Sequence, residues 1–278
     1  MKEFSFIINE KFNNYKIIDF LKCVGVSDEI IKKVKFGGIF LDERLVKNIN
    51  ERVKSCQTLK MVLPKDEPNA YVTPIKGELK IIYEDEYLLA VVKPKGMHTH
   101  ASKSQKLSLD QLVCGYFLPE SFVFRAINRL DKDTSGIILI AKDMYTASLL
   151  GEQMKKGNIK KSYQAVIVGT PKEKHFFIEK PIKRQAEGNI KRVCDKDGKY
   201  AKTECILAKT LDNGNSILDI ILHTGRTHQI RVHLASVGLP LYADGLYGER
   251  VKSENYELKA KNLEFIHPFT GKNILLTI

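Results

Sequence analysis

Apolar residues along this chain recur in two rhythms, and the switches between them mark out its elements. "SDEIIKKVKFGG" has an acid-capped start, repeats apolar residues at helical spacing and stops on paired glycines, which predicts a short helix. "GIFLDERLVKNINERVKSCQTLKMVLP" continues with short strand-like runs about a turn at Asp42 and Glu43. Residues 64–77 hold three prolines and a glycine and read as a linker. Beyond it, strand and helix signals alternate. "LKIIYEDEYLLAVVKP" is two β-rich runs about an Asp-Glu turn, and residues 108–118 predict a helix capped by Ser108. "GIILIAKD" predicts a buried strand, "MYTASLLGEQMKKG" a helix stopped at Gly157, and "KSYQAVIVG" another strand. Residues 199–222 read as a hairpin with Asn213 and Gly214 in its turn. Ile230, Leu234 and Val237 recur at i, i+4 and i+7 in a helix ended by Gly238 and Pro240, and "LEFIHPFTGKNILLTI" forms a last hairpin.

The pattern predicts a large mixed sheet with helices packed on it over residues 78–278, preceded by a small module at 1–63 and joined to it by 64–77.

Charge adds a partner to this picture. The net charge is +12, and residues 154–202 alone carry 14 Lys/Arg against 5 Asp/Glu. That excess favours an anionic partner, nucleic acid first and an acidic membrane surface second. The five cysteines are odd in number and lack metal-ligand spacing, which disfavours a disulfide framework or a zinc knuckle and suits reduced thiols. Runs such as "IILIA" are too short to span a bilayer, and the first residues lack the apolar core of a signal peptide. A cytoplasmic protein without a membrane partner is expected.

The candidate chemistry centres on "INRLDKDTSG", residues 127–136. A calcium loop fails, because the twelfth position counted from Asp131 is Lys142 where a bidentate Glu is required. Spacing leaves open a surface ion-pair cluster and a carboxylate held ready for chemistry. The second option gains from the loop feeding directly into the buried strand 137–141. A second polar cluster, "LHTGRTHQIRVHLASVGLP", places Arg226 at a strand-to-helix turn, where it could clamp a carboxylate or a phosphate. His223, His228 and His233 are five residues apart, so they do not share a helix face, and no metal site is predicted. "HTH" at 98–100 reads as phosphate-facing or merely exposed.

In order and spacing, "LLAVVKPKGMHTHAS", "RLDKDTSG", "KSYQAVIVG" and "TGRTHQIRVHLASVGLPLYADGLYG" resemble the RNA pseudouridine synthases of the RluA type, from about residue 80 onward. The resemblance implies an α+β fold, its large mixed sheet mainly antiparallel and flanked by helices. It implies that Asp131 is the catalytic residue and that Arg129 enters the RNA where the target uridine leaves the stack. It further implies that Tyr163 packs on the target base and that Arg226 pairs with the catalytic carboxylate. The family's usual His before Arg-Leu-Asp is Asn128 here. Residues 1–63 resemble a degenerate ribosomal-protein-type RNA-binding module. Lys160, Lys161, Lys183 and Arg184 of the basic segment, with His228 and Arg231, are the further RNA-binding candidates. A redox-neutral isomerisation that needs no activated water implies no metal and no cofactor. The expected protein is a monomer acting on RNA, ribosomal ahead of transfer RNA. The alternative is a catalytically silent RNA-binding or ribosome-assembly factor on the same fold.

Overall fold

The structure, a computed structural model, describes residues 2–101, 107–251 and 256–278. The chain begins with β1 (Glu3–Ile7), α1 (Ile17–Cys23), α2 (Asp28–Val34), β2 (Ile39–Leu41), β3 (Arg44–Leu45) and β4 (Thr58–Val62). Ser27 caps α2 by accepting from the Ile30 amide at 3.4 Å. Asp42 and Glu43 both take positive φ, 47° and 65°, in the two-residue turn between β2 and β3. The strands pair antiparallel in the order β1-β4-β2-β3, and both helices pack on them around Phe20, Leu21, Ile30, Val34, Leu59 and Met61.

The larger body follows with β5 (Ile81–Glu84), β6 (Leu88–Lys93), α3 (Leu109–Tyr116), β7 (Ser135–Ala141), α4 (Met144–Lys155) and β8 (Lys160–Ile167). Then come β9 (His175–Glu179), β10 (Ile182–Arg184), β11 (Arg192–Cys194), β12 (Lys202–Thr210) and β13 (Ser216–Leu222). It closes with α5 (Gln229–Ala235), β14 (Leu258–Ile266) and β15 (Asn273–Thr277). A mixed sheet runs β5-β6-β7-β14-β8-β13-β12-β9, with β15 beside β14. Among the described residues β7 and β14 pair parallel and the other neighbours antiparallel. This is an α+β architecture, as the resemblance implies.

The burial pattern of each strand follows its sequence. β7 is covered on both faces, so it reads as an unbroken apolar run. β12 alternates, with Thr203 and Cys205 buried and Glu204 and Ile206 turned outward. On one face α3 and α5 pack Leu109, Val113, Ile230 and Leu234 against Val91, Ile138, Leu218 and Ile220. On the other, Leu150 of α4 joins Leu88, Ile137, Leu263 and Phe265. No helix among the described residues is long and apolar enough to cross a membrane.

The N-terminal unit is bolted to this body through the start of α4. Tyr145 lies in the N-terminal core, its hydroxyl donates to the Val24 carbonyl at 2.6 Å, and the Ser148 hydroxyl donates to the Gly25 carbonyl at 2.9 Å. One element was not expected. Residues 182–194, which read only as a charged segment, form the hairpin β10–β11 in the register Lys183↔Val193 and Arg184↔Arg192. Its strands are too short and too charged to show a period.

The parallel contact of β7 with β14 depends on one glycine. Ala260 pairs with Gly136 of β7 on one side and with Tyr163 of β8 on the other. Gly136 has φ +125°, and a Cβ there would lie 2.3 Å from the Ala260 carbonyl oxygen. Gly136→Ala is therefore expected to cost about 3 kcal/mol or more, since neither strain nor clash can relax without parting the strands. Urea unfolding measures it, and a midpoint equal to wild type would contradict this account.

Candidate active site

The loop before β7 is held from two sides. The buried Asn128 amide donates to the Ile137 carbonyl and accepts from the Leu139 amide, both at 2.9 Å, and so fixes residue 128 along the edge of β7. This is a backbone-bracing role for Asn128. From the other side Lys93, wholly buried, donates to the carbonyls of Pro94 (2.9 Å), Met97 (2.7 Å) and Lys132 (2.9 Å). Burial pushes its ammonium down to about 8, against the opposing pull of Asp133 and Asp131. The Thr99 hydroxyl donates to the Leu130 carbonyl at 3.0 Å. Asp131 emerges from this framework with its side chain 24% exposed.

Asp131 faces a cleft of about 630 Å³ whose lining includes Arg129, Lys160, Lys161, Tyr163, Arg226 and His228. A second lobe of about 570 Å³ lies beyond it, and Arg129, Asp131 and His228 line both. Tyr163 is buried on β8, and burial, with the charge of Asp131 adding to it, raises its hydroxyl far above the usual tyrosine range. His228 takes a left-handed backbone conformation, φ +58°, at the head of α5. Its Nδ1 meets the Tyr247 hydroxyl at 2.9 Å, and its Nε2 stands 3.9 Å from Asp131 Oδ2. Burial lowers the imidazole below its ordinary value; Asp131 opposes this, while Arg231 and Arg192 reinforce it.

Two expectations are corrected here. Arg226 does not pair with Asp131. It is exposed, its Nε donates to the Tyr200 carbonyl at 2.9 Å, and its own amide donates to Gln229 Oε1 at 3.0 Å. Arg231, expected to meet RNA, lines the cleft but is already engaged within the protein. It is buried, makes two 2.7 Å bonds to Asp244, and lies 5.0 Å and 4.4 Å from the ring centroids of Tyr247 and Tyr256. Its guanidinium, like the Lys93 ammonium, is a buried cation that interacts with the charge of Asp131. A buried guanidinium needs a carboxylate; Asp244, quoted in "LYADGLYG", supplies it across 13 residues, a pairing that periodicity does not report.

The remaining candidates separate. Lys160 and Lys161 line the cleft; Lys160 lies 3.5 Å from Glu264, and Lys161 is partly buried against Met154. Lys183 is engaged by Asp195 at 2.9 Å and Asp197 at 3.8 Å, and neither it nor Arg184 is among the residues lining the cleft or its second lobe. Local ion pairing thus accounts for Lys183. The three evenly spaced histidines go to different partners: His223 to Glu204, His228 to Tyr247, and buried His233 to Thr203 and the Lys180 carbonyl. Sequence reasoning missed Lys93, Gln229 and Asp244. Gln229 ties the turn together, accepting from Thr224 at 2.7 Å and donating to the Lys202 carbonyl at 3.0 Å.

Residues 87–236 match the model of the family described as RNA pseudouridylate synthase. The chain belongs to that family. An uncharacterized RNA pseudouridine synthase of Bacillus subtilis (strain 168), YhcT, is 33% identical over 276 residues, covering 97% of this chain and 91% of the relative. Ribosomal large subunit pseudouridine synthase D of Zymomonas mobilis is 32% identical over 249 residues, covering 83% of this chain and 78% of the relative. The solved structure of human RNA pseudouridylate synthase domain containing 1 matches with a TM-score of 0.62 at 25% identity, covering 72% of this chain and 83% of that one. This synthase is accordingly an enzyme that isomerises uridine in RNA, and RNA is its substrate class.

Proposed function

We propose that Asp131 is the carboxylate that acts at the anomeric carbon of a uridine turned out into the 630 Å³ cleft, and that the RNA is ribosomal. The observation that carries this is the placement of Asp131. It is the carboxylate of the cleft lining, fixed by Asn128 and Lys93, with Tyr163 and His228 beside it. In the isomerisation the bond from C1′ to N1 breaks, the uracil turns, and C1′ rejoins through C5, which gives up a proton while N1 gains one. C1′ becomes electron-poor on the way, and a fixed carboxylate next to it stabilises that state. A stacked base cannot reach the cleft, so the uridine must leave its stack; exposed Arg129 at the rim fits the vacated space, and Tyr163 offers a ring face to the base. The names of the ribosomal large subunit relatives support ribosomal RNA. We also read residues 1–63 as an RNA-binding module and 64–77 as its linker, supported by the unit's own sheet and core. Pseudouridine sequencing of ribosomal and transfer RNA from cells with and without the gene tests the substrate. Loss of a ribosomal site is expected, and loss confined to transfer RNA would overturn this part of the reading.

The cleft also separates two groups of cations. Replacing Lys160 and Lys161 by Gln should weaken RNA binding and flatten its log–log salt dependence by about 0.7–0.9 per lost phosphate contact. Replacing Lys183 and Arg184 by Gln should leave both unchanged, because neither lines the cleft or its second lobe and Lys183 already serves Asp195 and Asp197. A salt titration of affinity measures both pairs; equal responses would contradict this partition.

A further inference from the structure

The stretch β8-β13-β12-β9 has its helices on one face. The other face carries exposed or half-buried side chains. There Glu204 stands opposite Phe177 of β9 and Ile221 of β13. Strand alternation puts His175, two residues before Phe177, and His223, two after Ile221, on the same side. Phe177 is 51% exposed, and its ring lies 5.2 Å from that of His175 and 6.3 Å from that of His223. Both imidazoles meet Glu204 through Nε2 at 2.9 Å. The histidine side chains are 54% and 43% exposed and the carboxylate only 17%, so the rings stand outermost. Lys202 Nζ lies 5.1 Å from the Phe177 centroid and 3.3 Å from Glu179.

An exposed phenylalanine alone needs no explanation. This one is flanked by two imidazoles that a single carboxylate ties down, so its surroundings are ordered before anything binds. It is also continuous with the cleft. His223 and Arg226 line the cleft, and Arg226 is bonded to the carbonyl of Tyr200, two residues before Lys202. His175, Phe177 and Lys202 fall within the segment that carries 14 Lys/Arg against 5 Asp/Glu. Aromatic rings on an open antiparallel sheet face, bordered by cations, are a recurring means of holding unpaired bases.

We propose that Phe177, with His175 and His223, forms a stacking platform for an unpaired nucleotide flanking the uridine in the cleft. This rests on the reading that the cleft holds the target uridine. The test uses the full chain and an end-labelled oligouridylate of about 12 nucleotides, long enough to track such a groove. Phe177→Ala should weaken binding about tenfold, whereas Phe177→Tyr, which keeps the ring, should bind like wild type. An iodouridine-containing version of the same probe should photocross-link to the peptide that contains Phe177. Urea midpoints of both variants should match wild type, which separates the effect from misfolding. Unchanged affinity in Phe177→Ala, or cross-links confined to other peptides, would overturn the platform. A change in self-association with RNA affinity intact would assign the face to a second copy and overturn it too. If wild type makes no pseudouridine in ribosomal RNA yet Phe177 passes these tests, the substrate reading falls and the platform stands.

Discussion

Replacing Asp131 by Asn should slow the single-turnover rate at least about 10³-fold while leaving RNA affinity within a few-fold of wild type. The substitution preserves size and hydrogen-bonding capacity. The loop is held by Asn128, Lys93 and Thr99, none of which bonds to the Asp131 side chain, so its shape should persist. Chemistry and binding therefore come apart in this variant. Arg226→Ala should behave in the opposite way, losing affinity but retaining most of the rate at saturating RNA, because its guanidinium is bonded to the Tyr200 carbonyl and not to Asp131. The double variant should then show additive losses in the logarithm of the rate. Substantial turnover by Asp131→Asn would remove the carboxylate from the mechanism.

Lys93→Met should lower the same rate by about 10²-fold, although Lys93 lies beneath the loop and not in the cleft lining. Met fills the space but cannot donate to the carbonyl of Lys132, the residue after Asp131, so the loop loses its inner anchor. A second signature identifies the ammonium. Its pKa in the folded protein is about 8, below the ordinary 10.5. Between those values the unfolded chain holds a proton that the folded one has shed, so this group's contribution to stability rises with pH across that window. Below pH 8 the cost of burying the ammonium is present in full; by pH 10.5 it is relieved, a change of roughly 3 kcal/mol. Urea midpoints of wild type and Lys93→Met from pH 7 to 10.5 isolate the effect, because other titrations cancel in the difference. The difference should move in favour of wild type as pH rises, and a flat difference would show that Lys93 does not titrate there.

Much of the fold was legible because it rests on local rules. The acid-capped start of α2, the turn at Asp42 and Glu43, and the unbroken apolar run of β7 each declare themselves within a few residues. The clustering of Asp131, Tyr163 and His228 was legible through motif order, which carries long-range information that periodicity lacks. What escaped were partnerships between distant residues. Arg231 reads as an RNA ligand until Asp244 is found against it, and no local pattern marks Lys93 as the buried anchor of three carbonyls. Arg226 and Arg231 stand five residues apart in one motif, yet one is exposed and the other buried. Only the assembled turn, with Gln229 at its centre, decides which faces inward.

The strand that lies between β7, which follows the Asp131 loop, and β8, which carries Tyr163, is made well after both. Ala260 of β14 touches Gly136 on one flank and Tyr163 on the other, whereas both of those residues emerge from the ribosome about a hundred positions earlier. A growing chain that has passed α5 already contains every side chain of the cleft named above except their spacer, and β7 and β8 have no direct pairing to hold them meanwhile. Competence should arrive late and all at once during synthesis, as sheet closure of such long sequence separation does. A nascent chain of this synthase would thus stay inert toward the RNA crowded around it until Leu258–Ile266 threads the gap.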